Sequence, residues 1–190
     1  MRIGLFYATN TGYTEEVSEE LCQHFGTSLI ETCQNIEDLS LEDLQGFDVL
    51  LLGIATWDAG DLPYDWAMFY DGLVDYDFSN TTIVMFGLGD QGGYPETFLD
   101  AMGILYRRFL EQGATGGIGF WPTDDYSFEE SLALEDGQFC GLALDQDNEA
   151  DLTTDRLIKW CTQIKRELNI LKVCDSDEPS AGDASSASVV

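Results

Sequence analysis

Between Arg2 and Arg107 the sequence contains neither lysine nor arginine. Over all 190 residues, 8 basic side chains stand against 36 acidic ones, for a formal net charge of -28. A surface of that sign repels nucleic acid and anionic membrane surfaces, so neither is an expected partner. It favours a partner with a basic face, reached by steered association that weakens in salt. The competing explanation is solubility, or adaptation to a salty cytoplasm. The single histidine, His24, falls at the end of the first helical stripe, where the dipole favours a cation, and leaves none for a Ser/His triad. No C-x-x-C occurs among the five cysteines, which argues against an iron–sulfur cluster, a zinc site or a secreted disulfide framework. Met1 to Ala8 is too short and too quickly polar for a signal peptide, and no apolar run is long enough to span a bilayer. The cytoplasm is the expected compartment.

What is present is an alternation of strand and helix patterns. Ile3 to Ala8 reads as a buried strand, and Val17, Leu21 and Phe25 as a helix face ending at Gly26. A short strand is expected over Ser28 to Thr32. Asp48 to Ile54 has the continuous apolar run of a central parallel strand. Trp66, Phe69, Tyr70 and Leu73 mark a second helix, Thr82 to Phe86 a fourth strand, and Phe98, Met102, Leu105 and Phe109 a third helix. The fifth strand reads as interrupted, beginning at Gly117 to Trp121 and resuming at Phe139 to Leu144, with a polar loop from Pro122 to Gly137 between them. A last helix is expected to follow Thr153 as N-cap, and Arg107 and Arg108 to form a solvated helix face. The pattern predicts one α/β domain over residues 1–173, a doubly wound five-stranded parallel sheet with helices on both faces. Residues 174–190 read as an acidic disordered tail.

In such sheets ligands bind beyond the carboxyl ends of the strands, where strand order reverses. Three loops there are unusual. Thr9, Asn10, Thr11, Gly12, Tyr13 and Thr14 open a helix with hydroxyls, a permissive glycine and free N–H groups, a cradle that can hold a dianion without Lys or Arg. A nucleotide-hydrolase loop needs a Lys beside its Ser/Thr, so the run suits one terminal phosphate and no phosphoryl chemistry. Trp57 and Tyr94 are aromatics on the other two loops. Facing across a cleft they would form a slot for a planar ring; each would otherwise pack on its own helix or on a partner. A planar ring with a terminal phosphate describes FMN. Asp90 and Asp147 can accept hydrogen bonds from ring or ribityl donors, or remain solvated loop acids.

These stretches together resemble the flavodoxin family, specifically its long-chain type. They are Gly4-Leu5-Phe6-Tyr7 with Thr9-x-Thr11-Gly12-x-Thr14, then Thr56-Trp57-Asp58-Ala59-Gly60, Phe86-Gly87-x-Gly89-Asp90-Gln91-x-x-Tyr94, Trp121-Pro122-Thr123 and Gly141-Leu142-Ala143-Leu144-Asp145. The resemblance covers residues 1–172, and the loop from Pro122 to Gly137 corresponds to the long-chain insertion. It implies that Thr9 to Thr14 hold the FMN phosphate and that Trp57 and Tyr94 sandwich the isoalloxazine. Ala55, Thr56, Asp58, Ala59 and Gly60, with Leu88, Gly89 and Asp90, would border the ring, and Asp147 the ribityl chain. Ala8 stands where a glycine is common, and Leu62-Pro63 replaces more polar residues; neither removes a contact group.

The resemblance implies a low-potential one-electron carrier, shuttling between semiquinone and hydroquinone. It would dock as a monomer with basic faces of an NADPH-dependent flavodoxin/ferredoxin reductase and of acceptor enzymes. The charges point the same way: an anionic reduced ring among Asp58, Asp61 and Asp90 meets repulsion of about 4 kcal/mol for each charge about 4 Å away at an effective dielectric near 20. About 1.4 kcal/mol corresponds to roughly 59 mV for one electron. The resemblance further implies that a peptide just after the stacking Trp turns over to offer a carbonyl to the ring, and here the candidate is the Asp58–Ala59 peptide. The alternative is an FMN-dependent NAD(P)H quinone reductase, which needs a substrate pocket that the Pro122 to Gly137 insertion could form. A receiver-type signalling module would need paired acids after the first strand and a lysine after the fifth; Ala8-Thr9 and Trp121-Pro122 occupy those places.

Overall fold

The computed structural model describes residues 1–26 and 28–170; Cys174 and the tail expected over 174–190 lie outside the described residues. Five parallel strands form the sheet: β1 (Ile3–Tyr7), β2 (Ile30–Asn35), β3 (Val49–Ala55), β4 (Thr82–Leu88) and β7 (Gly141–Leu144), in the order β2-β1-β3-β4-β7. Helices α1 (Tyr13–Phe25) and α4 (Thr153–Glu167) cover one face, and α2 (Tyr64–Gly72) and α3 (Asp100–Glu111) the other. Side chains alternate along a strand, so β3 feeds both layers. Val49 and Leu51 pack with Val17, Leu21 and Trp160, whereas Leu50, Leu52 and Ile54 pack with Trp66, Met102 and Phe109. That double burial explains its unbroken apolar sequence. Strand order reverses between β1 and β3, which puts the loops after those strands side by side.

Several boundaries differ from the sequence expectation. The second strand runs over Ile30–Asn35 rather than Ser28 to Thr32. It is an edge strand carrying Glu31, Gln34 and Asn35, so it lacks the apolar alternation that marks a covered strand. Thr153 is the first residue of α4 rather than its cap; a 3-10 turn over Ala150–Leu152 precedes it, and the Thr153 hydroxyl is buried without a partner.

The fifth strand is interrupted, though not where expected. Thr115 forms a lone parallel bridge with Thr82, and Gly141–Leu144 resumes on the same side of β4 from Met85. Gly117 to Trp121, expected as the first strand piece, leaves the ladder because Gly117 and Gly119 adopt φ of 89° and 73°. A Cβ at Gly119 would also come within 2.9 Å of Trp160 Nε1, which donates to the Gly119 carbonyl at 2.7 Å. The segment from Pro122 to Gly137 is more structured than its polar composition suggests. It includes β5 (Leu134–Glu135), paired antiparallel with β6 (Gln138–Phe139), and its Tyr126 and Phe128 rings pack on Phe98 and Phe139. Arg107 and Arg108 correct the expected solvated face. Arg107 donates to the Leu132 carbonyl and pairs with Glu135, while Arg108 lies over the Tyr70 ring and donates to its carbonyl.

Candidate functional site

The loops that follow β1, β3, β4 and β7 meet at one cleft of about 320 Å³. That lies at the small end of the range for small-molecule sites, roughly 300–1,000 Å³.

One end of the cleft is the start of α1. Gly12 takes φ 93° there, and no side chain caps the helix. Its N–H donates to Thr9 Oγ1 at 3.0 Å, and its carbonyl receives the Glu16 N–H. A helix start leaves its first N–H groups without intrahelical acceptors. Those of Tyr13, Thr14 and Glu15 find no other acceptor among the described residues. Thr11, Tyr13 and Thr14 line the cleft beside them, and no lysine or arginine does. Behind, the buried Tyr7 hydroxyl donates to Glu15 at 3.3 Å. Burial, then the Glu15 charge, pushes that phenol up to about 12.

The other end is built by two aromatic loops. After β3 the chain closes a tight hairpin in which Trp57 and Asp61 exchange backbone hydrogen bonds at 3.0 and 2.8 Å. Asp58 sits at φ 44°, a left-handed conformation costing a non-glycine residue about 1–2 kcal/mol, less for Asp. Trp57 lines the cleft, and its indole Nε1 is buried without a partner. Thr56 is anchored from behind, its hydroxyl accepting the Ala101 N–H at 3.3 Å at the start of α3. Across from β3, Leu88, Gly89, Asp90 and Tyr94 line the wall, with the Tyr94 ring 49% exposed. Gly89 is required by space, since a Cβ would lie 2.8 Å from the Phe98 ring.

The acids divide by role. Asp90 Oδ1 accepts the Gly92 and Gly93 N–H groups at 3.0 and 2.7 Å and Asn148 Nδ2 at 2.8 Å. The Gly93 amide foremost, then Asn148 and Gly92, hold its carboxyl below the usual range. One Asp90 oxygen thus shapes its own loop. Asp147 is exposed at the mouth of the cleft.

Of the residues expected from sequence, Thr11, Tyr13, Thr14, Ala55, Thr56, Trp57, Asp58, Leu88, Gly89, Asp90, Tyr94 and Asp147 line this one cleft. Thr9 and Gly12 do not line it; their mutual hydrogen bond fixes the turn that leads into Tyr13 and Thr14. Asn10 falls instead in an adjoining groove with Trp57, Asp61 and Tyr64. Ala59 is exposed at the hairpin tip, and Gly60, at φ 102°, is buried against Asp100 and Thr97. Sequence reasoning missed Gln146, which lines the cleft, and Asp145, whose buried carboxylate organises it. An Asp closing an apolar strand and followed by Gln-Asp-Asn is a turn-forming signal that could have found Asp145.

A family model described as Flavodoxin matches residues 5–160 of the chain. A flavodoxin from Nostoc sp. is 42% identical over 169 residues, covering 89% of this chain and 98% of that protein. Flavodoxin 2 of Escherichia coli K12 is 41% identical over 170 residues, covering 88% and 97%. Among solved structures, Fusobacterium nucleatum flavodoxin bound to flavin mononucleotide superposes with a TM-score of 0.81 at 32% identity, over 87% of this chain and 98% of that one.

Proposed function

The chain belongs to the flavodoxin family, and on that premise we propose that residues 1–173 bind one FMN non-covalently in the cleft and carry single electrons at low potential. It is an electron-transfer protein rather than an enzyme, and it works with redox partners. The observation that carries the reading is the pairing, in one cleft, of unmet helix-start amides without a cation and two aromatic rings on the loops beyond.

The donor set fits FMN. Thr9, Thr11 and Thr14 hydroxyls, with amides of the Asn10 to Glu15 segment, would hold a phosphate dianion. Trp57 and Tyr94 would cover the ring faces. Ala55, Thr56, Asp58, Ala59, Gly60, Leu88, Gly89 and Asp90 would border the ring, and Asp147 the ribityl side. When bound, FMN supplies the capacity to take up and release one electron at a time. The chain's own part is electrostatic and conformational. Asp58, Asp61 and Asp90 oppose further negative charge, with no lysine or arginine lining the cleft to offset them. The Asp58–Ala59 peptide is strained at Asp58 and flanked by the small Ala59 and Gly60. Were that peptide to turn, its carbonyl would be available as an acceptor for an N–H of a bound ring.

The acidic surface supports docking, as a monomer, with basic faces of an NADPH-dependent reductase and of acceptor enzymes in the cytoplasm. Among the described residues no helix is long and apolar enough to cross a membrane. None of residues 122–137 lines the cleft, so the insertion adds no wall of a quinone pocket.

Stepwise reductive titration of the FMN-loaded protein tests the reading. Two separated one-electron steps, the second at much lower potential, are expected. A single two-electron step, or steady NAD(P)H oxidation by the protein alone, would overturn it.

A further inference from the structure

Beside the cofactor cleft, and sharing Trp57 and Asp58 with it, lies an open groove of about 580 Å³. The hairpin closed by Trp57 and Asp61 and the first turn of α2 supply most of its walls. Leu62, Pro63 and Ala67 give it an apolar lining, at a point where Leu62-Pro63 is less polar than the family pattern. Trp57 and Tyr64 add two aromatic rings, and Asp58 and Asp61 two exposed carboxylates. Tyr64 is 72% exposed, and Met68, one turn further along the same helix face, 63%. No lysine or arginine lines the groove, and among the described residues neither carboxylate takes part in an ion pair.

The chain's own arginines show what a ring beside a carboxylate holds. Arg2 lies 4.9 Å over the Phe47 ring and pairs with Glu31 at 2.7 Å. Arg108 lies 4.8 Å over Tyr70 and pairs with Glu111 at 3.2 Å. Arg156 lies 4.4 Å over Tyr126 and pairs with Glu149 at 2.7 Å. A guanidinium is flat enough to stack on a ring and forked enough to meet a carboxylate at the same time. The groove offers both partners, with apolar side chains for the methylene stem. The positive end of α2 works against a cation, but it amounts to about half a charge, and Asp58, Asp61 and the first-turn Asp65 outweigh it.

We propose that this groove receives one arginine side chain of a basic docking partner, stacked on Tyr64, paired with Asp61 and laid across Leu62, Pro63 and Ala67. The inference rests on the docking reading above and gives it an anchor: the dispersed acids steer, and the groove holds. Lysine fits less well, because its ammonium has neither the fork nor the flat face. Because Trp57 lines both spaces, a partner anchored here is held against the cofactor cleft rather than elsewhere on the acidic surface.

The probe is N-acetyl-arginine amide, which carries a single positive charge, titrated into isotopically labelled FMN-loaded protein at fixed ionic strength and followed by NMR. Saturable shifts are expected at Tyr64, Ala67, Met68 and the Trp57 indole, with a roughly millimolar dissociation constant for so small a ligand. The uncharged isostere N-acetyl-citrulline amide should leave these signals unmoved, and N-acetyl-lysine amide should bind several-fold more weakly. Tyr64→Ala should weaken arginine amide binding several-fold while FMN still binds stoichiometrically. With an NADPH-dependent flavodoxin reductase, the same variant should raise KM and leave kcat and the salt dependence unchanged. Shifts that spread over the acidic surface without saturating would overturn the site. So would equal binding of the arginine and lysine amides, or an unchanged KM in Tyr64→Ala. Wild-type turnover indifferent to salt would instead overturn the docking reading, and the site's part in docking with it; the amide titration is read without any partner, so the two failures are distinct.

Discussion

The carboxylate of Asp145, wholly buried at the end of β7, accepts the backbone N–H of Gln91 at 3.1 Å and so ties the β4 loop to the β7 loop. The same group receives the Asp147 and Asn148 amides at 3.1 and 3.0 Å and the Asn148 side chain at 2.9 and 3.0 Å. Asn148 in turn reaches Asp90 at 2.8 Å. Gln91 carries the chain of bonds outward, its Oε1 accepting the Ser127 N–H of the 122–137 segment at 2.6 Å. Every bond at Asp145 is an acceptance, so an amide in its place would turn one donor against donors. Asp145→Asn is expected to cost about 1–3 kcal/mol of unfolding free energy in urea. It should also weaken FMN binding by roughly tenfold or more, at about 1.4 kcal/mol per decade.

The strained Asp58 and its neighbour Ala59 give a second expectation. A β-branched side chain at position 59 restricts the turning of the Asp58–Ala59 peptide. Ala59→Val should therefore alter the gap between the two one-electron midpoint potentials, by tens of millivolts for a bias of about 1 kcal/mol. Potentiometry that finds both midpoints unmoved would remove this peptide from the account.

Asp100 supplies a pH signature. Its carboxyl is buried at the start of α3 and accepts the Leu132 N–H at 2.6 Å. Burial raises its pKa above the usual carboxylate value; the Leu132 amide and Arg107 oppose the change, and Glu130 adds to it. For an acid raised on folding, the native state binds the proton more tightly than the unfolded chain does. Its contribution is full below the unfolded value, about 3.9, and is lost as pH rises through the native value. Urea titrations from pH 4 upward should show that falling component in the wild type and not in Asp100→Asn. Asp90, whose pKa is lowered, acts oppositely and loses its contribution only as pH falls through its native value.

The acidic surface sets a kinetic expectation. Electron delivery from a basic reductase should slow as ionic strength rises, because the Debye length shrinks from about 10 Å at 0.1 M to about 3 Å at 1 M. Stopped-flow rates independent of salt would exclude acidic steering.

Covered strands, helix faces and the three unusual loops were legible in the sequence because each leaves a local mark. A doubly buried strand such as β3 is apolar throughout, and a helix start such as Thr9 to Thr14 shows its glycine and hydroxyls. Features set by tertiary contact were not. The polar edge strand β2 has no apolar period, and the exit at Gly117 and Gly119 depended on positive φ values that the apolar neighbours Ile118, Phe120 and Trp121 masked. Asp145 and Asp100 look like surface acids until the loops folded over them are seen. Arg107 looks solvated until the 122–137 segment supplies the Leu132 carbonyl.

The most direct test is a fluorescence titration of FMN, and in parallel riboflavin, with the flavin-free protein. Stoichiometric quenching of FMN, with riboflavin bound markedly more weakly, is the expected result. Flavin fluorescence unchanged by excess protein would contradict a cleft built from the α1 amides, Trp57 and Tyr94.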